Sequence, residues 1–148
     1  MIRRPNKYQC VEIKASRFLP PKGYFAITFF GRVLIHRRNF EQWKREQGSV
    51  FSRTLINHEW IHVQQAVSVR NSWIAYYLLY LYYFLKSRPL KYGHAAAYYA
   101  NPFEIEAYMH ESDFGYVKDN HGTDEWRKIA QLSVKERIEL CKQNNLLR

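Results

Sequence analysis

With 148 residues, 23 Lys and Arg against 13 Asp and Glu, and 47% apolar residues, the chain has the make-up of one folded domain spanning 1–148, and disordered or repeat classes are excluded. Its two cysteines, Cys10 and Cys141, stand far apart with no C-x-x-C or other ligand spacing, which excludes a disulfide framework and a cysteine metal site and implies a reducing compartment. Residues 1–54 hold 12 Lys/Arg against 3 Glu while the remainder holds 11 against 10 acids, so nearly the whole net charge of +10 lies in the first third. Such a surface suits anionic lipid, an acidic substrate or nucleic acid. No nucleic-acid-binding motif accompanies it, and that partner is the least expected of the three.

The opening Met1-Ile2-Arg3-Arg4-Pro5-Asn6-Lys7 runs straight into polar residues, so no signal peptide is expected and the cytoplasm is the predicted location, with a peripheral membrane position as the alternative. Tyr8–Ile13, Tyr24–Phe30 and Arg32–His36 are rich in β-branched and aromatic residues and predict three short strands. Leu19-Pro20-Pro21-Lys22-Gly23 is a turn, and Gly31 a bulge or tight connection. A small antiparallel sheet is expected, whose edge could pair with an extended peptide. Phe40–Gln47 predicts a short helix closed by Gly48, after which Ser52 or Thr54 can cap a longer one.

That longer helix, from about Arg53 to Ser68, carries His58-Glu59-Trp60-Ile61-His62, an H-E-x-x-H motif. From composition alone, roughly one or two such chains in a hundred would contain the pattern by chance, so its setting matters. Apolar residues fill the gaps at helical spacing and neither Gly nor Pro interrupts. On a helix, His58 and His62 stand one turn apart on one face and can reach a single tetrahedral metal, for which zinc is the expected ion. Glu59 borders the same cavity and can take a proton from a water whose pKa the metal lowers.

Trp73–Leu85 is apolar or aromatic throughout and too short to span a bilayer. It is read as a core helix packed on the motif helix, the alternative being a helix lying at a membrane interface. Ser87-Arg88-Pro89 ends it, and Leu90–Ala100 adds a turn or two. Asn101 then caps a new helix with Pro102 at its first position. Two histidines leave a catalytic zinc short of its usual three protein ligands, and Glu104 and Glu106 are the candidates for the third. Two positions apart, they cannot share one role. Glu104 could instead complete a capping box with Asn101, and Glu106 could pair with His110. The residue pattern leaves both open.

His58-Glu59-x-x-His62 followed by Glu104-x-Glu106-Ala107 resembles the gluzincin-type zincin metallopeptidases. Ile56-Asn57-His58-Glu59, Gln64-Gln65, the aromatic helix and Asn101-Pro102-Phe103-Glu104-Ile105-Glu106-Ala107-Tyr108 resemble, more narrowly, a family of short bacterial zincin-like proteins. The likeness covers roughly Leu55–Tyr116. It implies an α+β zincin-like domain, a zinc-dependent peptidase acting on a peptide or protein substrate, and Glu104 as third ligand beside His58 and His62, with Glu59 as general base. Four residues past that ligand such families often carry Asp or Asn to orient a histidine; this chain departs from them with Tyr108, whose hydroxyl could still reach an imidazole or the developing oxyanion.

In the tail, Thr123 or Asp124 is expected to cap a short helix, and Ser133-Val134-Lys135-Glu136 is a capping box opening a last one to about Gln143. His94, His110 and His121 are read as structural rather than ligating. A small sheet followed by four or so helices is the expected architecture. The rival function is a non-catalytic zinc-containing module that sits on an anionic membrane surface or a protein partner, through the aromatic helix and the basic N-terminal third.

Overall fold

The computed structural model describes residues 12–119 and 123–147; Tyr8–Val11 of the first expected strand, Cys10 and His121 lie outside them. Strands β1 (Glu12–Ser16), β2 (Ala26–Phe29) and β3 (Arg32–His36) form one sheet in the order β1-β3-β2. β2 and β3 are an antiparallel hairpin whose two turn residues, Phe30 and Gly31, both take positive φ (49° and 80°), the turn that matches strand twist. The expected all-antiparallel sheet is corrected: β1 pairs with β3 in parallel, Glu12 opposite Arg32. The reason is the loop over residues 17–25, which turns the chain back but holds β1 and β2 apart, so that β3 inserts between them and runs with β1.

Nine helical segments follow among the described residues: α1 (Arg37–Arg45), α2 (Val50–Ser68), α3 (Trp73–Lys86), α4 (Pro89–Tyr92), α5 (His94–Tyr99), α6 (Pro102–His110), α7 (Tyr116–Asp119), α8 (Trp126–Gln131) and α9 (Val134–Gln143). Sheet-then-helix order is as expected, with more, shorter helices. α1 starts at Arg37 on an N-cap from His36 Nδ1. The motif helix is capped by Ser49 rather than Ser52 or Thr54, because Gly48 turns the chain at φ +83 and sets Ser49 extended, its hydroxyl accepting from Ser52 N–H. Ser52 instead donates back to the Ser49 carbonyl. α8 follows Glu125, with no side-chain cap from Thr123 or Asp124, whereas the Ser133–Glu136 capping box at α9 forms as read.

α2 is the central element, in contact with β2, α3, α6 and α7. One core joins Val63 and Ala66 of α2 to Trp73 and Tyr76 of α3, Phe103 of α6 and Trp126 of α8. Phe103 and Trp126 meet at 4.6 Å between ring centroids, and burial of each such side chain contributes about 1.5–3 kcal/mol. A second cluster, Val33, Ile35 and Trp43 with Leu55 and Ile56 against it, fastens the sheet and α1 to the start of α2. Between these two anchors the middle turns of α2 are held under β2, and those turns carry the motif.

Candidate metal centre

α2 buries polar residues as well as apolar ones: Asn57, His58, Glu59, His62, Gln64 and Gln65 are all buried. His58 Nε2 and His62 Nε2 approach each other to 3.2 Å, as expected one turn apart. α6 brings the third group. Glu104 Oε2 lies 3.5 Å from His58 Nε2 and Glu104 Oε1 lies 3.5 Å from His62 Nε2. Among the described residues these three form a group able to hold a metal ion, one ligand atom from each within 4.8 Å of the others. Bonds of about 2.0–2.1 Å in a tetrahedron set ligand atoms about 3.3 Å apart. The observed separations bracket that value, and Glu104 Oε2 is buried with no hydrogen-bond partner, an atom left for a cation.

Hydrogen bonds behind the rings fix which nitrogen is free. Gln65 Nε2 donates to the Phe103 carbonyl at 2.9 Å and to Glu106 Oε2 at 2.8 Å, so its Oε1 faces His62 Nδ1 at 2.8 Å and must accept from it. His62 therefore carries its proton on Nδ1 and turns the Nε2 lone pair to Glu104. His58 Nδ1 donates to Glu111 Oε2 at 2.9 Å with the same result. Asn57 in turn donates to the carbonyls of His110, Glu111 and Asp113, tying the end of α6 to α2 and thereby placing Glu111.

Electrostatics agree with this arrangement. Burial pulls the pKa of His58 down, but the nearby Glu104 carboxylate, the hydrogen bond to Glu111 and the charge of Glu59 outweigh it and raise it to about 10 without a metal. Burial would raise Glu104, yet the charge of His62 and the close approach of both imidazoles hold its carboxyl well below the usual range. A buried carboxylate facing two buried imidazole nitrogens is stable only with a positive charge among them, a proton or a metal ion.

Glu106 is not where either simple expectation put it. It is fully buried, points away from the histidines, and accepts from Gln65 and, at 2.8 Å, from the Tyr116 hydroxyl. His110 pairs instead with Glu125 at 2.7 Å and stacks on Tyr116. Asn101 caps α6 through Phe103 N–H, and Glu104 does not close a capping box. Tyr108 packs its ring 4.5 Å from that of His58, but its hydroxyl meets Tyr98 at 3.4 Å and reaches no imidazole. The task expected of position 108 falls to Glu111 and Gln65.

Glu59 lies at the mouth of the cluster. Thr28 on β2 donates to Glu59 Oε2 at 2.5 Å. From α3, the Tyr80 hydroxyl donates to Glu104 Oε1 at 2.7 Å, and the Tyr76 hydroxyl lies 3.2 Å from His62 Nδ1. Burial, reinforced by the Glu104 charge, pushes both phenols far above their ordinary pKa, so both keep their protons. His58 and Glu59 border two cavities, of about 470 Å³ and about 240 Å³; β2 and the Tyr24 and Tyr98 rings line both.

Several of these residues could have been found in the sequence. Glu111 is seven positions after Glu104 and Gln65 three after His62, each on the ligand's own helix face. Thr28 carried no such signal. Compared with known proteins, the chain matches no family model, no curated protein and no solved structure.

Proposed function

We propose that this chain is a zinc-dependent hydrolase of the zincin type, acting as a metallopeptidase. The observation that carries the reading is the convergence of His58 Nε2, His62 Nε2 and the orphaned Glu104 oxygen, with Glu59 beside them and not among them. Two imidazoles and one carboxylate are a donor set of catalytic zinc, which keeps a fourth position open. Held there, zinc would polarise a carbonyl and lower the pKa of coordinated water toward neutrality.

The remaining work falls to the chain's own residues. Glu59 accepts the proton of the attacking water and returns it to the leaving amine. Thr28 holds one oxygen of that carboxylate, so it positions the base. Among the described residues β2 has a partner on one side only, and its Ala26 and Thr28 line the smaller cavity with His58 and His62. An extended peptide adding to that edge would run past the ligand cluster, which favours a peptide substrate.

The test has two parts. Elemental analysis of the purified chain is expected to find about one zinc per chain, the stoichiometry of a single three-ligand site. Glu59→Gln keeps the shape and removes the base, so zinc and fold are retained while peptide hydrolysis drops about 100-fold or more. Cleavage by Glu59→Gln at the wild-type rate would end the hydrolase reading and leave a structural metal site.

A further inference from the structure

We propose that the outer face of α3 docks on an anionic lipid bilayer. The helix was expected to be core, and only one side of it is. Trp73 and Tyr76 are buried, and Tyr77 reaches back to the β-hairpin, donating to the Thr28 carbonyl and accepting from Phe30 N–H. On the opposite side Ile74, Leu78, Leu81 and Leu85 are 57%, 66%, 51% and 59% exposed. Their spacing of four, three and four positions puts them in one stripe along the axis, about 16 Å long. Tyr82, half exposed, flanks the stripe, and Leu90 of α4 is 98% exposed just beyond it. Soluble surfaces do not ordinarily gather large aliphatic side chains in a continuous line.

Charge identifies the occupant. From Trp60 to Phe103 the chain contains no Asp or Glu, while Arg70, Lys86, Arg88 and Lys91 all lie there. Lys86, Arg88 and Lys91 are exposed where the stripe ends, and none takes part in an ion pair among the described residues. The Lys86 and Lys91 ammonium groups instead lie 5.6 Å and 5.1 Å from the ring centroids of Tyr82 and Tyr92, a cation beside an aromatic at the edge of an apolar face. Aliphatic stripe, tyrosine border and unpaired cations are the three components of a surface that meets acyl chains and anionic headgroups together. An interfacial helix normally supplies its own polar face to water; in α3 that face is docked on the protein, which is why the segment reads as apolar all round. No described helix is long and apolar enough to cross a membrane, so the contact is peripheral.

This reading rests on α3 and its flank and is independent of the hydrolase proposal. The experiment is flotation of the full chain with vesicles of phosphatidylcholine alone and with about one third phosphatidylglycerol. Wild type is expected to float with the anionic vesicles and to be released by salt. Lys86→Gln/Arg88→Gln/Lys91→Gln is expected to weaken that partitioning about 100-fold, at about one factor of five per cation near the surface. Leu78→Glu/Leu81→Glu is expected to abolish it with zinc content and thermal midpoint unchanged, since both side chains lie outside the core. Absence of wild-type flotation, or flotation of either variant equal to wild type, overturns the proposal. Dimerisation in size-exclusion chromatography that Leu78→Glu/Leu81→Glu removes, without vesicle binding, overturns it also and gives the face to a second copy of the chain.

Discussion

The cluster on α2 and α6 and the outer face of α3 break the same rule in opposite directions. One buries three carboxylates and two imidazoles where apolar side chains belong; the other exposes four aliphatic side chains where polar ones belong. The two lie on either side of one helix, since the inner tyrosines of α3 touch the cluster. Yet they differ in how firmly they are built. Both histidine Nδ1 atoms, Gln65, Asn57 and Glu106 are held by named partners, while Glu104 Oε2 is buried without one and is the atom free to meet a cation. Among the described residues nothing covers the outer side of the α3 stripe. A buried polar site must be finished atom by atom, because each unpaired group costs about 1–3 kcal/mol, whereas an exposed apolar face tolerates change cheaply.

The sharpest way to break this contrast is within α6. Glu104→Ala removes the proposed third ligand, and zinc affinity measured by competition with a chelator is expected to fall by well over 100-fold, beyond the range for residues that only orient ligands. Glu106→Ala empties a fully buried site and frees Gln65; it is expected to cost about 3 kcal/mol in denaturant unfolding while weakening zinc by only about tenfold. The reverse order in zinc affinity would make Glu106 the ligand and refute the site as drawn.

Titration provides a second test. With its pKa raised to about 10, against about 6.5 for an unperturbed histidine, His58 is protonated in the metal-free chain at neutral pH. That proton's contribution to stability is complete below the unfolded value and is lost as pH rises through the folded one, so the thermal midpoint of chelator-treated protein should fall across that window. The same proton has to leave before a metal binds, and zinc affinity should rise about tenfold per unit between pH 6 and 8. A flat profile would mean that His58 is already neutral.

A smaller effect is expected at the hairpin. Thr28→Val removes the hydroxyl that holds Glu59, and turnover is expected to fall about tenfold with zinc content unchanged, the equivalent of one hydrogen bond to a charged group. An unchanged rate would deny Thr28 any positioning role. The smallest effect belongs to the stripe. Leu81→Ser, on a half-exposed position, is expected to change unfolding free energy by under about 0.5 kcal/mol, and a loss of several kcal/mol would show that α3 packs on both sides.

Much of the site is legible in the sequence. Spacing along one helix is a local property, so His58 and His62 could be placed on one face from sequence, and the Asn101-Pro102 start of α6 and the Ser133–Glu136 capping box were read for the same reason. The roles of Glu104 and Glu106 required the tertiary structure. Two acids two residues apart must face different ways, but which one faces α2 depends on how α6 is rotated, and that is set by Phe103 in the core and by Asn57 and Asn101 bonding to neighbouring backbone. The parallel pairing of β1, the hold of Thr28 on Glu59 and the division of α3 into a docked face and a bare one likewise join residues distant in sequence. Periodicity records which side chains share a face; only packing decides what that face meets.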